Sequence, residues 1–147
     1  MPEWRLVKVV IVGCGRIGSR LAAQLAQDKH DVTIIDRNPN AFLMAQNRGV
    51  LPPDFSGTQL VGDGTDTDVL RRVGVEGAQW FAALTEGDNR NIMAAQIAKV
   101  VFKVPTVVCR IADPIREEAY RKIGLQVFCP TILGVQVVKS LLGEEED

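Results

Sequence analysis

The sequence of 147 residues has the length of one ordinary domain, and its lysines and arginines nearly balance its acidic residues, for a formal net charge of −1. This balance argues against a nucleic-acid-binding surface, and no apolar run approaches the roughly 20 residues of a membrane span. The N-terminus lacks a signal-peptide pattern, and three widely separated cysteines fit neither a disulfide framework nor a metal knuckle. We therefore expect a soluble, cytoplasmic protein that neither enters a membrane nor binds nucleic acid.

The first element is an apolar run over residues 9–12 that passes directly into a Gly-x-Gly-x-x-Gly motif. A buried parallel strand, a tight turn and a helix produce this pattern. Gly13 makes the turn, Gly15 lets a phosphate approach the backbone, and Gly18 lets the helix lie close to the strand. The helix N-terminus attracts an anion. The predicted phosphate-binding residues are Gly13, Cys14, Gly15, Arg16, Ile17 and Gly18.

The second apolar run, residues 32–35, ends in Asp36, which follows the glycine motif by about 20 residues. In dinucleotide-binding domains a carboxylate at this spacing accepts hydrogen bonds from the ribose hydroxyls. Its charge repels a 2′-phosphate, which disfavours NADP. The joint pattern predicts a nucleotide site, and the alternative is a glycine-rich turn without a ligand.

Strand and helix patterns alternate through the rest of the chain, with Asn38-Pro39, Thr65 or Asp66, Pro114 and Pro130 at predicted helix starts. The predicted strands cover residues 6–12, 32–36, 58–61, 78–84, 105–111 and 125–129. We expect an α/β fold with a doubly wound parallel sheet of six strands in the order 3-2-1-4-5-6. Residues 1–143 would form the domain and residues 144–147 an acidic tail. In such a sheet, ligands bind beyond the carboxyl ends of the strands, where the winding reverses.

Five motifs, in this order, resemble those of the TrkA-N family, the RCK (KTN) domain that regulates potassium channels and transporters. They are Gly13-Cys14-Gly15-Arg16-Ile17-Gly18, Ile35-Asp36-Arg37-Asn38-Pro39, Gly62-Asp63-Gly64-Thr65, Thr85-Glu86-Gly87-Asp88-Asn89-Arg90-Asn91 and Arg110-Ile111-Ala112-Asp113-Pro114. The resemblance extends to about Leu142 and therefore covers nearly the whole chain.

The resemblance implies a cytosolic regulatory subunit with a Rossmann fold that binds an adenine nucleotide: NAD or NADH, ATP, ADP or AMP. It implies homodimers, often assembled into a ring beneath a membrane potassium channel or transporter, and gating rather than catalysis. The sequence ends where many members continue into a second, smaller domain. Thr131 follows Pro130 where some nucleotide-gated members carry a glutamate linked to a metal, so we expect no metal there.

Charged residues near the motifs allow more than one role. Arg16 would bind a phosphate, or it would form a surface salt bridge. Arg37 would stack on adenine or bind a phosphate, or it would be a solvated arginine before a helix. Asp63 would accept from the adenine amino group, and it also suits the turn formed with Gly64 and Thr65.

The loop after the fourth strand carries Thr85, Asp88 and Asn91, which suit a helix cap. The resemblance implies that this loop also approaches the ribose and phosphate. Arg110 ends the fifth strand and would reach a phosphate, in this subunit or a neighbouring one. An ion pair with Asp113 or Glu117 is the alternative.

Cys14 lies at a helix N-terminus, where a thiol pKa can fall, so a redox sensor is an alternative to a small buried side chain. Apolar residues cover well over half of the circumference of the last helix, between Ile132 and Leu142. This predicts burial on two sides, one against this domain and one against a second copy of the chain, and the alternative is burial by its own domain alone.

An NAD-dependent oxidoreductase is the competing enzyme hypothesis. The sequence leaves no residues for a substrate domain, and its one histidine, His30, falls at the edge of the sheet opposite the predicted site. We therefore expect no catalytic residues. A nucleotide-binding module for some other partner is a third possibility.

Overall fold

The computed structural model describes residues 5–144. Within this range, six parallel strands form one sheet in the order β3-β2-β1-β4-β5-β6, which confirms the predicted topology. The strands are β1 Lys8–Val12, β2 Asp31–Asp36, β3 Thr58–Val61, β4 Trp80–Ala83, β5 Thr106–Arg110 and β6 Val127–Phe128. Residues 145–147 of the predicted acidic tail lie outside the described residues.

Six α-helices in the described range connect or follow the strands. They are α1 Arg16–Gln27, α2 Pro39–Asn47, α3 Thr67–Arg72, α4 Asp88–Gln96, α5 Pro114–Lys122 and α6 Pro130–Leu141. A short 3₁₀ turn, Val75–Gly77, follows α3, and a π-helical turn, Ile97–Val101, continues α4. No helix within residues 5–144 combines the length and the apolar character that crossing a bilayer requires.

The central strand β1 is covered on both faces, as its unbroken apolar run predicts. Val9 and Ile11 pack in a cluster with α1 and α2, whereas Val10 and Val12 pack in a second cluster with α3 and α4. All four side chains are at most 5% exposed. This double burial holds the carboxyl end of β1, where the glycine motif begins, in a fixed position.

The helix starts follow the predicted cap chemistry. The Asn38 side chain accepts a hydrogen bond from the N–H of Asn40, with Pro39 as the first residue of α2. The side chains of Asp66 and Asp113 cap α3 and α5 in the same way. These caps end the preceding loops at the carboxyl edge of the sheet and thereby set the position of those loops.

The last helix, α6, has no buried residue. Ile132 is partly buried, whereas Leu133, Val135, Val137, Val138 and Leu141 are about half exposed or more, from 47% at Leu133 to 82% at Leu141. The alternative that its own domain alone buries this helix is therefore wrong, and the predicted burial of one side against this domain is not observed, since no residue of α6 belongs to either core cluster. The second copy of the chain stays a prediction.

Candidate functional site

A cleft of about 430 Å³ opens at the carboxyl ends of the strands β1 to β4. It lies at the point where the chain leaves β1 toward one face of the sheet and β4 toward the other, as expected for this topology. Ten of the predicted site residues line it: Gly13, Cys14, Gly15, Arg16, Asp36, Arg37, Asp63, Gly64, Thr65 and Thr85. A cleft of this volume matches the size range of sites for small molecules and cofactors.

The three glycines of the motif meet different requirements. Gly13 has a φ of +109°, which disfavours other residues, and its N–H donates to the carbonyl of Ile35 at 2.7 Å. A Cβ on Gly18 would lie 1.8 Å from the carbonyl oxygen of Gly13, so the helix can approach the turn only with glycine there. A Cβ on Gly15 would meet no protein atom within 4 Å. The protein's own packing therefore explains Gly13 and Gly18, whereas Gly15 leaves open space at the cleft.

The N-terminus of α1 provides unpaired donors at the same place. The first helical hydrogen bond runs from the N–H of Ser19 to the carbonyl of Gly15, at 3.0 Å. The N–H groups of residues 16–18 precede it and have no partner within the helix. The first turn contains no acidic residue, and no side chain in the described chain caps it. An anion would satisfy these donors and the positive end of the helix dipole.

The carboxylate of Asp36 joins the glycine turn to the start of α2. Its Oδ2 accepts from the N–H of Cys14 at 2.8 Å, and its Oδ1 accepts from the N–H of Asn38 at 2.8 Å. An ionised carboxylate has about four acceptor positions, so both oxygens retain the capacity to accept from a hydroxyl. This geometry is compatible with the predicted ribose contact.

Asp63 shapes its own turn, as one of its two predicted roles requires. Its Oδ1 accepts from the N–H of Thr65 at 2.9 Å and from the Thr65 hydroxyl at 2.7 Å. These two hydrogen bonds lower the pKa of the Asp63 carboxyl, and the nearby charges of Arg37 and Arg90 lower it further. Asp63 is therefore an acceptor at the cleft.

The cleft has more positive than negative side chains. Its lining contains the arginines Arg16, Arg37, Arg48 and Arg90 against the acids Asp36, Asp63 and Glu86. Within residues 5–144, none of these four arginines forms an ion pair with a protein carboxylate. The salt-bridge alternative for Arg16 is therefore not observed in the described chain.

Sequence reasoning missed Arg48 and Arg90, and the apolar wall formed by Ala41 and Met44. A signal for part of this wall exists, since residues 41, 44 and 48 follow the helical spacing i, i+3, i+7 and share one face of α2. To predict that this face of α2 points toward the glycine motif, one must know how α2 packs on the sheet. The motif alone does not contain this information.

The Cys14 side chain is 1% exposed, and burial raises its pKa from 9.0 to about 11. The negative charge of Asp36 contributes to this rise in the pKa of Cys14, whereas the positive charge of Arg48 opposes it. The redox-sensor alternative needs a lowered thiol pKa and is not supported, because burial and Asp36 outweigh any lowering by the helix N-terminus. Cys14 is a small buried side chain whose backbone N–H holds Asp36.

Five predicted residues are absent from the lining of this cleft: Ile17, Gly18, Asp88, Asn91 and Arg110. Ile17 is 40% exposed, and Gly18 lies behind the glycine turn.

Neither the Thr85 nor the Asp88 side chain caps α4. The cap residue of this helix is Gly87, which has no side-chain hydrogen bond. Residues 85–91 instead bind the loop that follows β5.

Arg110 donates from Nη1 to the carbonyl of Thr85 at 2.8 Å. Its Nε is buried and has no hydrogen-bond partner among the described residues. The alternative of an ion pair with Asp113 or Glu117 is not observed among the described residues, where Glu117 pairs with Arg121 at 2.9 Å and the Asp113 side chain caps α5.

His30 lies at the opposite edge of the sheet, as predicted. Its Nδ1 accepts from the N–H of Val7 at 3.1 Å, and its ring packs against Trp80 with 5.0 Å between centroids. Within residues 5–144, no cluster of three or more His, Cys, Asp or Glu side chains could hold a metal ion. His30 therefore has a structural environment distant from the cleft.

The sheet order, the glycine turn and the cleft at the switch point define a Rossmann-type domain. The family model of the TrkA-N domain matches residues 9–130. The chain belongs to the TrkA-N domain family.

The Trk system potassium uptake protein TrkA of Streptomyces coelicolor is 44% identical over 128 residues, which cover 87% of this chain and 53% of that protein. The chain thus spans about half the length of this relative. The TrkA-N domain of the inner membrane protein ybaL from Escherichia coli matches with a TM-score of 0.76 at 16% identity, over 93% of this chain and 97% of that chain. The Shewanella denitrificans Kef CTD, in an AMP-bound form, matches with a TM-score of 0.68 at 21% identity, over 94% of this chain and 83% of that chain. The two structures support the fold.

Proposed function

We propose that this chain is the nucleotide-sensing domain of a regulatory subunit of a potassium uptake system. The observation that carries the proposal is the pairing of an uncapped α1 N-terminus with the carboxylate of Asp36 across one cleft. An anionic group at the helix and a sugar at the acid are the two adjacent parts of a nucleotide. The open space at Gly15 fits the approach of a phosphate to the backbone.

In this proposal, the phosphate accepts from the N–H groups at the start of α1 and from the guanidinium of Arg16. The ribose hydroxyls donate to Asp36. The adenine ring lies beyond the ribose, between the apolar surface of Met44 and the turn that holds Asp63, which would accept from the amino group. Arg37 lies beside this end of the cleft and would stack on the ring.

The ligand class follows from the same parts. NAD, ATP, ADP and AMP share the adenine, the ribose and a first phosphate, so each would use these contacts. The AMP-bound form of the Kef CTD, a protein of the same fold, supports an adenine nucleotide. Arg48 and Arg90 add positive charge to the lining, which suits more than one phosphate.

The potassium uptake role rests on the family and on the name of the Streptomyces relative. Because the chain spans about half of that relative, the membrane partner belongs to the proposal, as does a cytoplasmic location beside it. The domain would act by differential binding, because a ligand shifts a conformational equilibrium only as far as it prefers one state.

The exposed apolar surface of α6 supports a homodimer, or a ring built from dimers. Leu133, Val137 and Leu141 follow the spacing i, i+4, i+8 and form one continuous apolar strip. A second copy of α6 would cover this strip. The cleft of each copy would then lie at a fixed distance from the pair of α6 helices that joins the two copies.

An NAD-dependent oxidoreductase is the weaker candidate. Such an enzyme needs a proton donor within reach of the substrate, and His30 is buried at the far edge with its Nδ1 bonded to Val7. A binding module for a different partner fits the same cleft, and co-purification of a potassium transporter subunit would distinguish the two.

Three measurements test the proposal. Mass spectrometry of small molecules released from protein purified without added nucleotide should detect an adenine nucleotide. Calorimetric titration with NAD, ATP, ADP and AMP should then rank them, and small-angle scattering should differ between the free and the bound dimer. Absence of binding to all four, or hydride transfer by the pure protein, would contradict it.

A further inference from the structure

We infer that Asn91 and Asp88 are positioning residues that connect the wall of the cleft to the first turn of α6, rather than residues that contact the ligand. This inference rests on the proposed function, and it specifies how occupancy of the cleft would reach α6. We refer to the connected residues Thr85, Asn91, Asp88, Ala112 and Thr131 as the Asn91 relay.

The first connection is between the cleft and Asn91. Thr85 lines the cleft, and its N–H and hydroxyl both donate to the Oδ1 of Asn91, at 2.9 and 2.6 Å. The Nδ2 of Asn91 donates to the carbonyls of Thr85 and Arg110, each at 2.9 Å. Asn91 is fully buried.

These four hydrogen bonds use the full capacity of an amide side chain, which has two acceptor positions and two donor hydrogens. Asn91 therefore has no atom left for a ligand. Any shift of Thr85 must move Asn91 or break one of these buried bonds, and breaking one is costly in a buried site.

The second connection is from α4 to the loop after β5. Asp88 is the first residue of α4, one turn before Asn91. Its two carboxylate oxygens accept from the N–H groups of Ala112 and Asp113, at 2.9 and 3.2 Å. Asp113 is also the cap residue of α5, so the start of α4 fixes the start of α5.

The third connection reaches α6. The carbonyl of Ala112 accepts from the hydroxyl of Thr131 at 2.8 Å, and the Cys129 thiol lies 3.7 Å from the same oxygen. These two residues flank Pro130, the first residue of α6. The backbone of Ala112 therefore contacts both elements. Its N–H donates to Asp88, and its carbonyl accepts from Thr131 in the first turn of α6.

Arg110 gives a physical reason to expect a second arrangement of the relay. Its Nη1 is bonded to the Thr85 carbonyl, while its buried Nε has no partner in the described chain. A buried donor without an acceptor is unfavourable, so an arrangement that pairs it would be favoured once a ligand displaces Thr85. A connection with two discrete arrangements is what coupling between two sites requires.

The consequence is reciprocal. If a nucleotide against Thr85 changes the position of α6, then a change at Thr131 that biases the position of α6 must in turn alter nucleotide affinity. Thr131 does not line the cleft, so a residue with no direct contact to the ligand would control how tightly the cleft binds.

The test compares Thr131→Val, which removes the hydroxyl, with Thr131→Ser, which keeps it. Thr106→Val is the matched control, because Thr106 is an exposed threonine of β5 outside the relay. Amide exchange of Ala112 and Thr85 is measured by NMR in the protein without nucleotide. Affinity is then measured by calorimetry for whichever of NAD, ATP, ADP and AMP binds the unmodified protein most tightly.

Thr131→Val should speed the exchange of both amides and change the nucleotide Kd by about two- to thirty-fold, the range for substitutions along a coupled path. Thr131→Ser and Thr106→Val should resemble the unmodified protein. Unchanged Thr85 exchange and unchanged affinity in Thr131→Val would overturn the inference. Failure of the unmodified protein to bind any of the four nucleotides would instead overturn the proposed function, while the exchange of Thr85 still decides whether the relay exists.

Discussion

The carboxylate of Asp36 accepts a hydrogen bond from the backbone N–H of Cys14, with 2.8 Å between Oδ2 and N. This bond joins the end of β2 to the centre of the glycine turn that follows β1. It sets the distance between the acid that would hold a ribose and the helix N-terminus that would hold a phosphate. In the proposed function, this hydrogen bond would set the spacing between the phosphate and the ribose before any ligand binds.

The first prediction concerns Asp36 itself. Asp36→Ala should weaken the binding of an adenine nucleotide by roughly 1–3 kcal/mol, the scale of lost hydrogen bonds to a charged group. Calorimetric titration measures the change. Asp31→Ala is the control, because Asp31 is an exposed aspartate at the other end of the same strand. An unchanged affinity in a folded Asp36→Ala protein would refute the ribose assignment.

The second prediction separates the glycines of the motif. Gly15→Ala should keep or raise the melting temperature, because its backbone φ of −83° suits alanine and the new Cβ meets no protein atom. It should nevertheless weaken nucleotide binding, because the Cβ occupies the space of the phosphate. Gly18→Ala should destabilise the fold by about 1–3 kcal/mol or more, since its Cβ would overlap the carbonyl of Gly13.

Thermal unfolding and calorimetry of both variants provide the comparison. A Gly15→Ala protein that binds nucleotide as tightly as the original chain would show that no phosphate lies against this residue.

The sequence predicted the sheet order and the principal site because both depend on local periodicity and fixed spacing. A four-residue apolar run before the glycine motif, and Asp36 after the second run, are patterns that only one topology satisfies well. Gly13, Gly15 and Asp36 accordingly lie together in the cleft.

The rest depends on packing distances that a single sequence does not contain. Asn91 comes soon after the fourth strand, at a position where ligand-binding residues are common. All hydrogen-bonding positions of its side-chain amide are nevertheless occupied by Thr85 and Arg110. Arg48 is the residue that follows the last turn of α2 and belongs to no motif, and only the approach of α2 to the sheet brings it to the cleft. The raised pKa of Cys14 likewise depends on tertiary packing, because burial of the side chain is its main cause and the charge of Asp36 is the second.

The third prediction concerns stability at alkaline pH. Burial raises the pKa of Cys14 to about 11 and that of Cys109 to about 12, from 9.0 in both cases. The folded state therefore holds these protons after the unfolded state has released them. Their contribution to stability is complete below pH 9.0 and is lost as pH rises from there toward about 11 for Cys14 and about 12 for Cys109.

Urea denaturation of the unmodified protein and of Cys14→Ala across this interval measures the Cys14 part. The unmodified protein should lose stability relative to Cys14→Ala by about 1 kcal/mol per pH unit. A difference that does not depend on pH would show that the Cys14 thiol ionises as readily in the folded chain as in the unfolded one.

The fourth prediction concerns α6. Leu141 is 82% exposed, and Leu141→Glu would place a charge in the apolar strip. If a second copy covers this strip, the substitution should raise the dimer dissociation constant at least tenfold, roughly the cost of burying an unpaired charge. Analytical ultracentrifugation measures it.

Met93→Glu is the control for this experiment, because Met93 is an apolar residue of α4 that is 52% exposed and lies outside α6. A monomer at all concentrations, or equal weakening by the two substitutions, would contradict a dimer built on α6.

A crystal structure of the chain with a bound adenine nucleotide tests the central claim most directly. We predict phosphate oxygens within hydrogen-bond distance of the N–H groups of Gly15 and Arg16, and a ribose hydroxyl donating to Asp36. A nucleotide bound elsewhere on the chain, or one whose phosphate lies away from the start of α1, would contradict the account.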